Sequence, residues 1–371
     1  MARRTLVFLQ EELDWQTYVA YGLADASLAP PYIHVVPIDA NERLMDVRLA
    51  RSVVAGTEVT AWFARHRRDL LHEANAAWPE WYRDLWDRRE AVIQQNRSIQ
   101  MLERPEYKRR WAGPTWDDLL GAAVRGALLD RLEATEVWRD GAGRPLVRSA
   151  AQVADDLRHD ERVRELLTIH TGSPDFDLTV EVSKLLATEA VPTFAPLRYK
   201  PAGIEKFRAW ERVWDLQRAE DRGERVDIPL PPKYGKGDFL KTSYWSARGK
   251  LDVPKERFLS FPGARLPDDT TELYGWAGWD HSERGQAIAR LANELSRAGA
   301  PDEQVVPLIG ALIELQPWLD QWYSDIESRS GVSPASAVSG ATTALLGRLG
   351  IGADTVLAWR PAPATRGRKK A

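Results

Sequence analysis

Apolar positions recur at helical intervals from the first residues of the chain. Leu9, Leu13, Tyr18, Tyr21 and Leu23 fall near one face of a helix that, with a closing turn, covers residues 4–28. Pro30 and Pro31 interrupt that pattern. The run 33–38 (IHVVPI) then predicts a short strand, which Pro37 confines to a sheet edge because it has no N–H to give a ladder. Residues 58–101 return to helical spacing. Trp62, Phe63, His66, Leu70 and Leu71 make one stripe. Pro79 opens a second helix at a position where a missing N–H is tolerated, and Tyr82, Leu85, Trp86, Ile93, Asn96 and Ile99 form its broad face.

Beyond Pro105 the same reading continues. Thr115 and Asp118 have the spacing of a capping box before a helix carrying Leu119, Leu120, Val124, Leu128 and Leu132. Ser149 caps a short helix, and 158–170 and 177–187 are further helices. Phe207, Trp210, Trp214, Gln217 and Asp221 share one helical face. Pro229, Pro231 and Pro232 end it, and a long loop follows with one strand at 257–260. Helices are expected again at 284–297, 303–327 and 335–349. The fold class is therefore mainly α, with multi-helix domains, a few short strands and a long basic, aromatic-rich loop region. The glycine turn at Asp140–Arg144 separates an N-terminal helical region, 1–145, from a C-terminal helical domain, 146–362. Residues 363–371 read as a disordered basic tail.

Composition narrows the chemistry. A chain of 371 residues without cysteine has no disulfide, no thiolate nucleophile and no cysteine-ligated zinc, which fits a cytoplasmic protein. No apolar run reaches membrane length, so no membrane partner is expected. The net charge of −3 gives no global attraction for nucleic acid, but one segment is locally basic. Between Lys233 and Arg257 stand seven basic residues (Lys233, Lys236, Lys241, Arg248, Lys250, Lys255 and Arg257) against three acidic ones. Tyr244 and Trp245 lie among them. Cations suit phosphates and flat rings suit unstacked bases, so these residues are candidate nucleic-acid contacts. Solvated lysines on a loop pinned by its aromatics are the equally simple alternative. Lys108, Arg109 and Arg110 form a second candidate patch.

No catalytic constellation survives scrutiny. Ala29-Pro30-Pro31-Tyr32 has the outline of an amino-methylating motif, but alanine cannot accept a hydrogen bond from the target amine. Pro174-Asp175 with Glu181 and Lys184 has the outline of a nuclease site on what reads as a helix, where an i,i+3 ion pair is the better account. Glu211, Asp215, Glu220 and Asp221 alternate with arginines and read as a salt-bridged face. His281 beside Asp280 has no serine partner. Catalytic and metal-ligating residues are accordingly expected to be none.

The segments RPEYKRRW (104–111), PDFD (174–177), LRYKP (197–201), IPLPPKY (228–234), FLKTSYWSARGKLDVPKERF (239–258) and GWAGWDH (275–281) carry a resemblance. They are similar to the C-terminal portion of the PglX family, adenine-specific DNA methyltransferases of BREX type 2 phage-defence systems, over roughly residues 5–360. The resemblance implies a portion of such a methyltransferase, and the charge and rings of the basic segment make it, as an expectation, a non-catalytic DNA-binding or positioning module. S-adenosylmethionine is expected only in a methyltransferase half absent from this sequence. Double-stranded DNA, that half and other BREX proteins are the implied partners. A protein-interaction scaffold docking those proteins is the alternative.

Overall fold

The computed structural model describes residues 2–30, 34–71, 73–109, 113–248, 254–328 and 330–361. Arg110, Lys250 and the tail 363–371 lie outside the described residues. The fold is mainly helical, and the chain forms two compact units, residues 1–120 and 121–371.

The first unit contains α1 (Ala2–Ala20), α2 (Leu44–Val54), α3 (Trp62–His66), α4 (Glu80–Gln95), α5 (Arg97–Leu102) and α6 (Pro105–Lys108). Its core gathers Phe8, Trp15, Ile38, Leu44, Tyr82, Leu85, Trp86 and Ile93. Two expectations fail here. Residues 34–39 form no strand but run as irregular chain, with Val36 and Ile38 turned into the core. The stripe of α3 stops at His66, because Arg67 takes a left-handed φ of 51° and leaves Leu70 and Leu71 exposed. Asn96 ends α4 and caps α5, accepting from the N–H groups of Ser98 and Ile99.

The helix α1 buries a face other than the one its apolar spacing marks. Leu9, Leu13 and Tyr21 point to solvent, while Glu11, Glu12 and Asp14 are buried beside Trp15 and Tyr18. Each carboxylate meets a cation from elsewhere in the unit. Arg43 Nε stands 3.1 Å from Glu11, Arg89 grips Glu12, and Lys108 Nζ stands 2.6 Å from both Asp14 and Glu103. The sequence places Lys108 on an exposed basic patch, yet only 4% of its side chain is accessible. Burial opposes its charge, but Glu103, Glu11 and Asp14 outweigh that and hold its pKa above the ordinary lysine value. Carboxylates outnumber cations around it, and burial pushes the Glu103 carboxyl up.

α7 (Trp116–Leu132) starts on the expected capping box. Thr115 Oγ1 accepts from the Asp118 N–H at 3.1 Å, and Asp118 Oδ2 accepts from the Thr115 N–H at 3.2 Å. The second unit continues with α8 (Ala150–Leu157), α9 (Glu161–Thr171), α10 (Leu178–Glu189), α11 (Pro201–Asp221), α12 (Thr242–Ala247), α13 (His281–Arg297), α14 (Asp302–Trp322), α15 (Pro334–Leu349) and α16 (Ala353–Ala358). A small sheet joins β1 (Arg148–Ser149), β2 (Ala190–Pro192), β3 (Phe258–Ser260) and β4 (Leu273–Trp276) in the order β1-β4-β3-β2. β3 runs antiparallel to β4, with Leu259 opposite Gly275, and parallel to β2, with Leu259 opposite Val191. Of these strands only β3 was legible, since two to four residues give no period to read. Phe258, Tyr274, Phe194 and Trp138 tie the sheet into a core shared with α13, α14 and α15. Gly310 lets the Phe194 ring lie against α14, where any Cβ would collide with it.

Candidate functional site

The basic, aromatic segment divides by side-chain type. Tyr234, Phe239, Tyr244 and Trp245 turn inward onto Tyr199 and Phe207, forming a small core of their own against the start of α11. Gly203 makes this docking possible. The Asp238 carbonyl sits so close to its Cα that a side chain there would collide, and that carbonyl accepts the Lys200 N–H at 2.8 Å. The Asp238 carboxylate binds Lys206 at 2.8 Å. Lys233, Lys236, Lys241 and Lys255 remain on the surface, with the Lys241 ammonium 5.3 Å from the Tyr244 ring. Arg248 lies over Tyr234 at 3.9 Å. Arg257 stands apart from this group, 2.7 Å from both Asp130 and Glu133. Of the second candidate patch, Arg109 is exposed and Lys108 is buried in its carboxylate cluster.

A cleft that sequence reasoning did not single out opens next to this segment. Its volume is about 410 Å³, and α11, α14, the first turn of α13 and the end of β2 enclose it. One wall is a run of rings. Trp210 and Trp214 on α11 meet Trp318 on α14 at 5.8 and 5.0 Å, Trp318 meets Trp322 at 5.2 Å, and His281 meets Trp322 at 5.2 Å. Each tryptophan pair is four residues apart, so one helical face presents both rings. That spacing, repeated at 210/214 and 318/322, is the signal available in the sequence, and by itself it fits core packing just as well.

Charge lines the rest of the cleft. Arg198 and Arg284 contribute guanidinium groups, and Glu256 and Glu314 contribute carboxyls. Arg284 donates through one terminal nitrogen to the Ala277 carbonyl at 3.2 Å. The Nε atoms of both arginines are buried with no hydrogen-bond partner among the described residues. A buried donor left unpaired costs about 1–3 kcal/mol, so two in one cleft are a notable expense. Burial pushes the Glu314 carboxyl up to about 7, against the pull of Arg198, the Ala195 N–H and Arg208. Burial, with Arg284 beside it, also holds His281 below the ordinary histidine value. Arg218 covers Trp318 at 4.5 Å, whereas Trp322 is 54% exposed.

The other motifs resolve into structural roles. Glu181 and Lys184 form an i,i+3 pair at 2.6 Å on α10. Arg208 pairs with Glu211 at 2.6 Å and Arg218 with Asp215 at 3.1 Å along α11. Asp280 caps α13 in a box with Glu283. Among the described residues no group of three or more histidine, aspartate or glutamate side chains is placed to hold a metal ion, and no helix is long and apolar enough to cross a membrane.

Comparison with known proteins gives one clear relationship. The family model described as a domain of unknown function (DUF7008) matches residues 6–370. The adenine-specific methyltransferase PglX of Streptomyces coelicolor is 41% identical over 381 aligned residues, which cover 100% of this chain and 31% of that protein. The match bears out the resemblance read from the sequence, and the chain spans about a third of the length of this relative. No solved structure matches.

Proposed function

The chain belongs to the DUF7008 family, and we propose that it acts as a non-catalytic, DNA-holding module of a PglX-like adenine-specific methyltransferase in BREX phage defence. The observation that carries this reading is the 41% identity along the whole chain to part of a protein named for that activity. The exposed lysines 233, 236, 241 and 255 supply the contact surface, held out from the protein by rings that anchor their backbone. Such contacts go to phosphates and displace counterions, so binding falls with salt and carries little sequence preference. Methyl transfer and S-adenosylmethionine belong, in this reading, to other parts of the methyltransferase.

Fluorescence anisotropy of a labelled duplex against the purified chain, over a salt series, tests the proposal. A log–log slope of several times about −0.9 supports it. No binding at low salt favours a scaffold that docks other defence proteins, a reading with which the net charge of −3 agrees. Co-purification with a methyltransferase half would then be the next measurement.

A further inference from the structure

The tryptophan-walled cleft lies beside the exposed lysines, with Pro254 and Glu256 on either side of Lys255 in its lining, and asks for a ligand of its own. Its chemistry is unusual in combining flat aromatic surface with buried cationic donors. The Nε groups of Arg198 and Arg284 have no hydrogen-bond partner among the described residues, and the Arg198 guanidinium otherwise lies 5.3 and 5.5 Å from the Tyr199 and Phe207 rings. Both arginines line the same space as Trp210, Trp318 and Trp322. Two guanidinium groups beside the rings disfavour an aromatic cage for a cation, with Glu256 and Glu314 as the opposing charges. A purely apolar ligand would leave their N–H groups unanswered. The ligand that satisfies both halves is a planar ring system joined to an anion.

We infer that the cleft binds a single unstacked nucleotide, with its phosphate on Arg198 and Arg284 and its base on the tryptophan wall. Guanidinium N–H groups in a fixed fork match phosphate oxygens. A volume of about 410 Å³ lies within the range of small-molecule sites. Trp322 is more than half exposed at the end of α14, so ring surface remains open beside its contacts with Trp318 and His281, while Arg218 already covers Trp318. Glu256 and Glu314 are the opposing charges in the lining, and Glu314 is engaged by Arg208 at 3.2 Å and by the Ala195 N–H at 3.0 Å. The nucleotide is either free in solution or one unit of an unpaired strand, since both offer the same phosphate and base. This inference goes beyond duplex holding and does not rest on it.

The test is quenching of intrinsic tryptophan fluorescence of the full chain by deoxyadenosine 5′-monophosphate, deoxyadenosine, inorganic phosphate and a single-stranded oligo(dA). The monophosphate or the strand should quench with saturation, and deoxyadenosine or phosphate alone should bind about tenfold more weakly or worse. Trp322→Ala should weaken binding by about fivefold or more, and Arg198→Gln should do so as well. Tighter binding of the strand than of the monophosphate assigns the source to single-stranded nucleic acid, and equal or weaker binding assigns it to a free nucleotide. If Arg198→Gln fails to fold, the half-exposed Trp322 carries the test. No quenching by either nucleotide probe at millimolar concentration overturns the inference. So does quenching that deoxyadenosine matches without the phosphate, or that Trp322→Ala leaves unchanged. Duplex binding reads the lysine surface instead, so either result can fail alone.

Discussion

Arg89 holds Glu12 through both terminal nitrogens, each 2.6 Å from a carboxylate oxygen, with both side chains nearly closed to solvent. Its Nε also donates to the Leu28 carbonyl at 3.0 Å, and its guanidinium lies 5.0 Å from the Trp15 ring. All three nitrogens of the guanidinium are thus engaged, which is what lets a buried charge be tolerated. Removing one partner leaves the other stranded. Glu12→Ala should destabilise the chain by about 3 kcal/mol or more, read from the midpoint of urea unfolding followed by circular dichroism. The double change Glu12→Leu with Arg89→Met should recover part of that loss, because the two apolar groups need no partner although the Leu28 carbonyl loses its Arg89 donors. Equal destabilisation by the single and double variants would show that packing, not charge, sets the cost.

Lys108 and Lys236 test what a lysine does in this protein. Lys108 Nζ is held by Asp14 and Glu103 and also donates to Tyr18 at 2.9 Å. Lys108→Ala should lower the melting temperature by several degrees and leave the salt dependence of duplex binding unaltered. The triple change Lys233→Ala, Lys236→Ala, Lys241→Ala should do the reverse. Each phosphate that a lysine no longer neutralises takes about 0.9 from the log–log salt slope, so a reduction of about 2–3 is expected, with the melting temperature unchanged. A salt slope indifferent to the triple change would remove the lysine surface from the DNA-holding reading.

These two sites also mark what the sequence could and could not disclose. Helices with a wide apolar face, such as α4, were legible because burial and period agree there, whereas α14 was legible as a long apolar stretch, every residue from Val305 to Leu312 being buried. Caps at Ser149 and Thr115 were legible because their chemistry is local. α1 misled because its buried face is built from Glu11, Glu12 and Asp14, and their partners Arg43, Arg89 and Lys108 are 32, 77 and 94 residues away. Pattern reasoning assigns charge to solvent and cannot pair residues across such distances. The cleft was hidden for the same reason. Arg198 and Arg284 look like ordinary surface arginines until the fold brings them to one space with Trp318. Within the lysine segment, the alternation of cation and ring was visible, but the inward turn of the rings depends on Gly203 and Asp238.

Gly203→Ala tests that dependence directly. The added methyl group would collide with the Asp238 carbonyl, a backbone atom that cannot rotate away. The segment must therefore lift from α11, breaking the 2.8 Å bond from the Lys200 N–H to the Asp238 carbonyl and loosening Tyr234 and Phe239. Overpacking of this kind costs about 1–3 kcal/mol, partly offset because alanine favours a helix over glycine. Limited proteolysis should show faster cleavage within residues 233–248 than in the parent chain. Unchanged cleavage, with a gain in stability, would mean that the segment's docking tolerates the methyl group.

Glu314 gives a pH signature to the cleft. Its carboxyl accepts from the Ala195 N–H and Arg208, but burial dominates and places its pKa at about 7, above the ordinary 4.5. Between those two values the folded protein keeps a proton that the unfolded chain has released. The resulting stabilisation is fully present below the unfolded value of 4.5 and is lost as pH rises through about 7. Its full size is on the order of 3 kcal/mol. Glu314→Gln keeps an acceptor for the Ala195 N–H and removes the titration. The stability of the variant minus that of the parent should therefore rise with pH across this window and level off above it. Urea unfolding at matched pH values measures the difference directly, since other titrating groups cancel between the two proteins. A difference that stays flat from acid to mildly alkaline pH would place the Glu314 pKa outside this range and make the buried carboxyl an ordinary partner of Arg208.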